Sequence, residues 1–234
     1  MTRMIDFYNR EARRFGRAHA GLDKKAREGK VDDFINTDAT KISWSRALKQ
    51  DLVKEKDVAF EPPCLIQSLY RPFTKQWFYF NRRLNEVVYQ MPRIFPDAET
   101  ENRVITVNAK HAGEGQIALI MDSLPDFHSN GDSQCFPLYL YDEPENDGDE
   151  SLFTASSKKS KERTRRSALT DEGLAHFRAA YPNEKISKED IFYYIYGLLH
   201  SPDYRERFAD NLSKEIPRIP CVKRAVDFRA FEQA

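Results

Sequence analysis

The stretch NRVITVNAKHAGEGQIALIM, residues 102–121, carries the pattern that most decides the fold. Two short, apolar, β-branched segments, 104–107 and 117–121, flank a polar connection that contains two glycines. Segments of this kind, bounded by turn residues, are typical of paired strands. A third such segment, 136–141, follows a loop with an Asn-Gly pair that is too long for a two-residue hairpin. The sequence therefore predicts a β-rich core in the middle of the chain.

The residues before this core combine helical and β-rich patterns. Three short β-rich segments, 58–60, 65–70 and 76–80, are broken by prolines. Apolar residues recur at spacings of three and four over residues 4–28, which predicts one amphipathic helix, and a second helix is expected to begin at Ser43. The first helix has no N-cap residue, so we expect the sequence to be part of a longer polypeptide. Its apolar face consists of Ile5, Tyr8, Ala12, Phe15, His19 and Leu22.

The composition changes abruptly after the core. Residues 142–150 carry six acidic and no basic side chains, whereas residues 156–167 carry six basic and one acidic. Few apolar residues could anchor this region, so we predict a mobile charged linker over residues 143–168.

The C-terminal region carries helix-start signals. Ser187, followed three residues later by Asp190, predicts a capping box, and Ser201 before a proline predicts a second start, with that helix reaching Leu212.

These patterns predict a mixed α+β architecture. A β-rich unit of residues 57–142 is expected to follow an N-terminal helical segment, residues 1–56. The charged linker, 143–168, is expected to separate it from a C-terminal helical unit, residues 169–234.

The composition says little about partners by itself. The 37 basic and 37 acidic side chains cancel, so net charge gives no sign of a nucleic-acid partner. Three widely spaced cysteines, Cys64, Cys135 and Cys221, predict reduced thiols in an intracellular protein. No apolar run approaches the ~20 residues of a membrane-spanning helix. We therefore expect a soluble cytoplasmic protein with no membrane contact.

The motifs of several catalytic classes are absent from the sequence. It contains no P-loop, no dinucleotide-binding glycine motif after a strand, no His-Glu-x-x-His and no nucleophile elbow. The Asn-Pro-Pro-Tyr tetrad of adenine methyltransferases is also missing. His111, His128 and Cys135 have no known zinc-site spacing. We predict that the chain carries no catalytic residue, no metal site and no cofactor of its own, and that it is not an enzyme by itself.

Basic and aromatic side chains are interleaved over residues 70–93, which have a net charge of +4. This pattern favours a surface that contacts phosphates and bases, but it also fits a half-buried strand pair whose basic stems cover a core edge. The basic end of the linker likewise fits either phosphate contact or a solvated segment. The predicted phosphate contacts are Arg71, Lys75, Arg82, Arg83, Lys158, Lys159, Arg163, Arg165 and Arg166.

Three stretches carry a family resemblance. They are YRPFTKQWFYFNRRLNE at 70–86, SQCFPLYLY at 133–141, and DIFYYIYGLLHSPDYRERF at 190–208 followed by IPRIP at 216–220. In this order and spacing they resemble the C-terminal region of Type ISP restriction–modification enzymes. The resemblance covers nearly the whole chain.

The resemblance implies a parent polypeptide with a nuclease, a helicase-like motor and an N6-adenine methyltransferase, followed by a target-recognition domain. The implied partners are double-stranded DNA and the methyltransferase and motor domains of the same chain. S-adenosylmethionine, ATP and Mg²⁺ would serve the parent enzyme outside these residues.

The resemblance does not assign base contacts, so they must be predicted from chemistry. Arg and Lys pair with guanine, and Asn and Gln pair with adenine, in the major groove. Such residues cluster around the connections between the central strands, where they also fit ordinary polar turns. The predicted base contacts are Arg103, Asn108, Lys110, His111, Gln116, Asn130 and Gln134.

Two functions remain open from the sequence. The first is sequence-specific DNA recognition within a larger enzyme. The second is a structural coupler that docks the methyltransferase and motor domains and touches DNA only incidentally.

Overall fold

A computed structural model describes residues 1–71, 73–108, 118–126, 133–142 and 163–234, except for the side chain of Arg71. Helices and small sheets both occur, which confirms the predicted α+β class. The chain divides into two compact units, one of Met1–Ile66 with Trp77–Tyr89 and one of Gln67–Gln76 with Gln90–Ala234. The four-segment division drawn from the sequence stays a prediction.

The first unit is mainly helical. Its helices are α1 (Thr2–Ala18), α2 (Lys24–Glu28), α3 (Val31–Phe34) and α4 (Arg46–Val53), and a 3₁₀ turn spans Pro62–Cys64. The periodic apolar face of α1 is buried, with Tyr8 packing near Leu48 and Phe15 near Leu52. Burial of this face against α4 stabilises the helix, because most helical stability in proteins comes from packing of an amphipathic face.

The helix predicted over residues 4–28 is two helices. The first ends at Ala18, and Gly21 adopts a φ of 82°, a left-handed conformation that ends the helical path. Asp23 then caps α2 by accepting a hydrogen bond from the amide of Ala26 at 2.8 Å. Leu22, predicted on the buried face, is therefore exposed.

The second predicted helix begins later than expected. The oxygen of Ser45, not Ser43, caps α4 by accepting a hydrogen bond from the amide of Leu48.

The second unit contains strands and the C-terminal helices. The strands are β1 (Leu65–Arg71) and β2 (Thr74–Tyr79), each with residues in both units, then β3 (Val104–Asn108), β4 (Ala118–Met121), β5 (Leu124–Pro125), β6 (Ser133–Pro137), β7 (Tyr139–Asp142) and β8 (Thr164–Ser167). The helices are α5 (Met91–Ile94), α6 (Asp171–Ala180), α7 (Lys188–His200), α8 (Pro202–Arg207), α9 (Ala209–Leu212) and α10 (Ala225–Glu232).

The sheet formed by β4, β3 and β6, in that order, is antiparallel. Ile105 pairs with Ile120 on one side and with Phe136 on the other. Directly paired side chains share a face, and Ile105 belongs to the core cluster that includes Tyr194 and Leu198 of α7. One face of the sheet is thus covered by the C-terminal helices. Strand β3 confirms the strand predicted at 104–107, and β4 confirms the one predicted at 117–121 over its described residues, 118–121.

Helices α7 and α10 approach each other at a glycine. A Cβ placed on Gly197 would lie 2.1 Å from the carbonyl oxygen of Phe231, so a larger residue would force the backbones apart. The capping box of Ser187 and Asp190 at the start of α7 is present, as predicted. The helix predicted from Ser201 to Leu212 is interrupted at Phe208, which divides it into α8 and α9.

The strand predicted over residues 136–141 is divided. Leu138 separates β6 from β7, and its amide donates to the carbonyl of Arg103 while its carbonyl accepts from the amide of Ala168. The latter contact continues the pairing of β7 with β8. Strand β8 was not predicted, because its residues were assigned to the charged linker; pairing with β7 overrides their low strand propensity.

Candidate nucleic-acid interface

Strand β3 separates the predicted base contacts into two groups. Arg103 immediately precedes β3, whereas Asn108 ends it and pairs with Ser133. At about 3.4 Å per residue the two ends are roughly 17 Å apart. The structure therefore does not bring all the predicted base contacts together.

The Arg103 end of the sheet opens into a groove of about 650 Å³ in the second unit, which we call the ribbon groove. Two residues predicted from different parts of the sequence, Lys75 and Arg103, line it together. The full lining is Leu69, Phe73, Lys75, Arg103, Leu119, Ile120, Met121, Asp122 and Tyr196.

The position of Arg103 is fixed by its neighbours. The buried side chain of Asn102 donates to the carbonyls of Ile94 and Tyr139, at 2.9 Å each, and its Oδ1 accepts from the amide of Arg103 at 2.8 Å. The guanidinium of Arg103 donates to the hydroxyl of Tyr193 through Nη1. It also lies 5.6 Å from the centroid of the Tyr193 ring. Within the described residues, its Nε and Nη2 make no hydrogen bond.

Lys75 is paired in the same groove. Its Nζ lies 2.8 Å from Oδ1 and 2.9 Å from Oδ2 of Asp122, and both side chains are largely exposed. The hydrogen bond from Lys75 is the main cause that lowers the pKa of the Asp122 carboxyl. The groove therefore presents a guanidinium, an ammonium and a carboxylate that stays ionised at neutral pH.

The opposite end of the sheet holds the second group. Gln134 pairs with Val107 and is exposed, whereas Asn108 is buried. Two strands begin at this end, β4 with Ala118 paired to Val107 and β6 with Ser133 paired to Asn108. The other predicted base contacts, Lys110, His111, Gln116 and Asn130, lie outside the described residues.

Strand β6 also carries Cys135, whose thiol faces the interior. Burial raises the pKa of this thiol to about 11. Cys64 and Cys221 are likewise unpaired cysteines, and burial raises the pKa of each.

The basic side chains of β8 and of the residue before it are exposed, and each contacts another group. Asp142 accepts hydrogen bonds from both Arg93 and Arg166. The hydrogen bond from Arg93 is the largest cause that lowers the pKa of the Asp142 carboxyl, and that from Arg166 is the second. The guanidinium of Arg165 lies 4.5 Å from the centroid of the Tyr139 ring. Arg163 donates to the carbonyl of Pro92 at 3.5 Å. Two other predicted phosphate contacts, Lys158 and Lys159, lie outside the described residues, as does the side chain of Arg71.

The two neighbouring arginines of the first unit differ. Arg83 donates to Asp51 Oδ2 at 3.1 Å and to the carbonyl of Asp57 at 2.6 Å, and a third of its side chain is exposed. Arg82 is exposed, and within the described residues it has no hydrogen bond or ion pair. Arg82 is thus the more available of the two for a phosphate.

In the part of the chain that the structure describes, no cluster of three or more histidine, cysteine or acidic side chains is placed to hold a metal ion. In the same part, no helix has the length and apolar character required to cross a bilayer.

The comparisons with known proteins concern this whole chain. Residues 1–234 match the family described as the Type ISP C-terminal specificity domain. The chain belongs to this family. A search among curated proteins gives no match.

Solved structures with the same fold as this specificity domain include two Type ISP enzymes. It is 32% identical to a chain of the cryo-EM DrdV–DNA complex, with a TM-score of 0.77, covering 98% of this chain and 20% of that one. For a nuclease-deletion mutant of the Type ISP enzyme LlaGI with a DNA substrate mimic, the identity is 31% and the TM-score 0.73. The match covers 99% of this chain and 18% of that one. For the ATP-dependent Type ISP restriction-modification enzyme LlaBIII bound to DNA, the identity is 30% and the TM-score 0.71. The match covers 100% of this chain and 13% of that one. The chain spans about a fifth or less of these relatives.

The specificity domain contains functional candidates that sequence reasoning missed. Asn102 and Tyr193 hold Arg103, and Asp122 pairs with Lys75. The only local signal was for Asn102, a polar residue next to a buried strand. Tyr193 lies 90 residues from Arg103 in the sequence, so no local pattern could have linked them.

Proposed function

We propose that this specificity domain recognises a double-stranded DNA target in a sequence-specific manner. In this proposal it is the C-terminal part of a restriction–modification enzyme, which carries nuclease, helicase-like motor and N6-adenine methyltransferase domains elsewhere. Membership of the family and the DNA complexes formed by its solved relatives support the proposal. The observation that carries it is the ribbon groove, because Lys75, Arg103 and Asp122 line one concave surface.

The groove has the chemistry to read a G·C pair. In the major groove guanine presents two acceptors, O6 and N7, and cytosine presents an amino donor. Arg103 has guanidinium nitrogens available for a bidentate contact, and its orientation is held by Tyr193. Asp122 offers carboxylate oxygens as acceptors for the cytosine amino group. We therefore assign base reading at this end to Arg103 and Asp122.

Lys75 acts on the phosphate backbone in this proposal. Its side chain is 44% exposed and its ammonium group is paired with Asp122, so the ammonium group can move from that carboxylate to a nearby phosphate. A lysine suits this role because it is a flexible point charge rather than a planar fork.

The other end of the sheet supplies a second set of reading groups. Gln134 is exposed there, and in this proposal Lys110, His111, Gln116 and Asn130, which lie outside the described residues, also contact bases. With the two ends roughly 17 Å apart, contacts at both would extend over about five base pairs of B-DNA, since the rise is 3.4 Å per pair. Asn108 is buried and would support these residues rather than contact a base.

Three further exposed arginines, Arg82 in the first unit and Arg165 and Arg166 on β8, fit contacts to the phosphate backbone. Phosphate contacts of this kind set register and affinity. Methyl transfer, ATP hydrolysis and cleavage, with S-adenosylmethionine, ATP and Mg²⁺, belong to the rest of the enzyme in this proposal. We also propose a cytoplasmic location, because the rest of the enzyme would use S-adenosylmethionine, ATP and Mg²⁺.

The proposal can be tested by selecting bound duplexes from a randomised pool with the enzyme that contains this domain. We expect one asymmetric motif to be enriched, and we expect the Arg103→Ala enzyme to lose its preference at one G·C position. A matched Arg82→Ala enzyme should keep the whole motif and bind every duplex more weakly. An enzyme that enriches no motif, while still binding duplex DNA, would support the coupler function instead.

A further inference from the structure

Phe73 is the most exposed large apolar side chain among the described residues. It lies at the connection between β1 and β2, and its side chain is 92% exposed. Its backbone φ is 72°, in the left-handed region that bulky residues rarely adopt. Glycine or asparagine would be the ordinary choice for this conformation.

Folding stability does not account for this residue. An aromatic ring that is 92% exposed contributes little packing, and the positive φ opposes the fold. Backbone strain of this kind persists where the surrounding structure enforces it, and it clusters at functional positions. The ring is therefore available for a ligand that the described chain does not contain.

The ribbon that presents Phe73 is anchored on both sides. In the second unit, β1 pairs with β5 in parallel through Ser68 and Leu69, and the amide of Asp126 donates to the carbonyl of Leu69 at 2.9 Å. On the other side, β2 is hydrogen-bonded to β1, and Lys75, two residues after Phe73, is paired with Asp122 until it moves to a phosphate. The ring thus projects from a supported strand pair, as a wedge requires.

The surroundings of Phe73 favour DNA as its ligand. The ring lines the rim of the ribbon groove together with Lys75, Arg103 and Asp122. Within the same unit, residues 70–76 carry two basic side chains, Arg71 and Lys75, and no acidic one. A dry apolar pocket of a protein partner would have to desolvate these charges, whereas a DNA duplex offers phosphates for the cations and stacked bases for the ring.

We propose that Phe73 is a DNA wedge, which inserts its ring between adjacent bases at or beside the target and unstacks them. This inference rests on the proposed function and adds DNA distortion to base reading. Apolar side chains inserted at a base step unstack it and kink the duplex. Stacking on an aromatic ring tolerates any base, so Phe73 would add affinity and distortion, while Arg103 adds sequence discrimination.

The test uses the enzyme that contains this domain and target duplexes with 2-aminopurine placed at successive positions. Fluorescence of 2-aminopurine rises when the base is unstacked, so the wild-type enzyme should raise it at one step besides the adenine that the methyltransferase flips out. Phe73→Ala should abolish that rise and weaken target binding by roughly 5- to 150-fold, the size expected for loss of one stacked base. Phe73→Trp should retain both. Val226→Ala, which removes another exposed apolar side chain, should change neither.

A folding defect can be separated from the loss of a wedge. Because Phe73 is exposed and has a positive φ, the unfolding midpoint of Phe73→Gly should equal or exceed that of the wild type. Failure of the wild type to prefer its target would contradict the proposed function itself. Target preference with an unchanged fluorescence rise in Phe73→Ala would overturn only the wedge. So would a Phe73→Ala enzyme that binds DNA normally but loses a protein partner.

Discussion

The guanidinium of Arg103 is held by Tyr193, which accepts a hydrogen bond from Nη1 and places its ring 5.6 Å from the guanidinium carbon. The two residues lie on different elements, Arg103 before β3 and Tyr193 within α7. A long, flexible side chain loses less conformational entropy on binding when it is already oriented. Tyr193 therefore acts as a positioning residue for the proposed base contact.

Replacing Tyr193 separates its two contacts. Tyr193→Phe keeps the ring and removes the hydroxyl, so we expect discrimination between target and non-target duplex to fall by a few-fold. Tyr193→Ala removes both contacts and should lower discrimination further. Competition binding with labelled duplexes measures this. Tyr141→Phe, which loses a hydroxyl bound to the carbonyl of Glu101, is the matched control. Equal loss of affinity for all duplexes would contradict the positioning role.

Arg103 and Lys75 should respond differently to salt. Arg103→Ala should lose about 1–3 kcal/mol of discrimination at one base pair. Lys75→Ala should weaken binding to target and non-target alike and reduce the slope of log K against log salt by about one unit. Titrations between low and moderate salt with both duplexes measure the two effects. Selective loss of the target by Lys75→Ala would instead make Lys75 a base contact.

Arg82 and Arg83 are neighbouring arginines of the first unit, and their alanine variants can be compared directly. Arg83→Ala breaks hydrogen bonds to Asp51 and Asp57, so the free energy of unfolding should fall by about 1–2 kcal/mol, discounted for partial exposure. Arg82→Ala should change it by no more than about 0.5 kcal/mol. Denaturant unfolding of the 234-residue chain measures both. The reverse order of destabilisation would contradict the assignment of Arg82, rather than Arg83, to phosphate contact.

The start of α7 should make stability depend on pH. Burial alone would raise the pKa of the Asp190 carboxyl, but hydrogen bonds from Ser187 and Arg229 together outweigh it and lower the pKa. Because the folded-state pKa is lowered, the ionised Asp190 contributes to the free energy of unfolding above the unfolded pKa of 3.8. This contribution is lost as pH falls through the folded-state pKa.

Asp190→Asn should therefore destabilise the chain by about 1–2 kcal/mol at pH 7. The difference from wild type should shrink as the pH falls below about 3.8. Denaturant unfolding of both proteins between pH 7 and pH 2 measures it. A difference that stays constant over this range would show that the carboxylate charge does not contribute.

Much of the local structure followed from the sequence, whereas the site did not. The spacing of Ile5, Tyr8, Ala12 and Phe15 predicted the buried face of α1, and Ser187 predicted the start of α7. Both depend on neighbours within a few residues. The helix predicted over residues 4–28 extends too far because apolar spacing alone does not indicate the left-handed turn at Gly21 or the cap at Asp23.

The groove depends on contacts between distant residues. Lys75 meets Asp122, and Arg103 meets Tyr193, through the parallel pairing of β1 with β5 and the packing of α7 on the central sheet. The periodicity of one segment contains no information on such pairing. Strand β8 was missed for the same reason, since only pairing with β7 makes Arg165 and Arg166 strand residues.

Above all, we propose that this domain determines the DNA target. The most direct test is to exchange it with the specificity domain of a Type ISP enzyme that has another target, and then map methylated adenines by sequencing. We expect the methylated motif to follow the specificity domain. A motif that stays with the rest of the enzyme, or survives deletion of the domain, would contradict the claim and leave the structural coupler as its function.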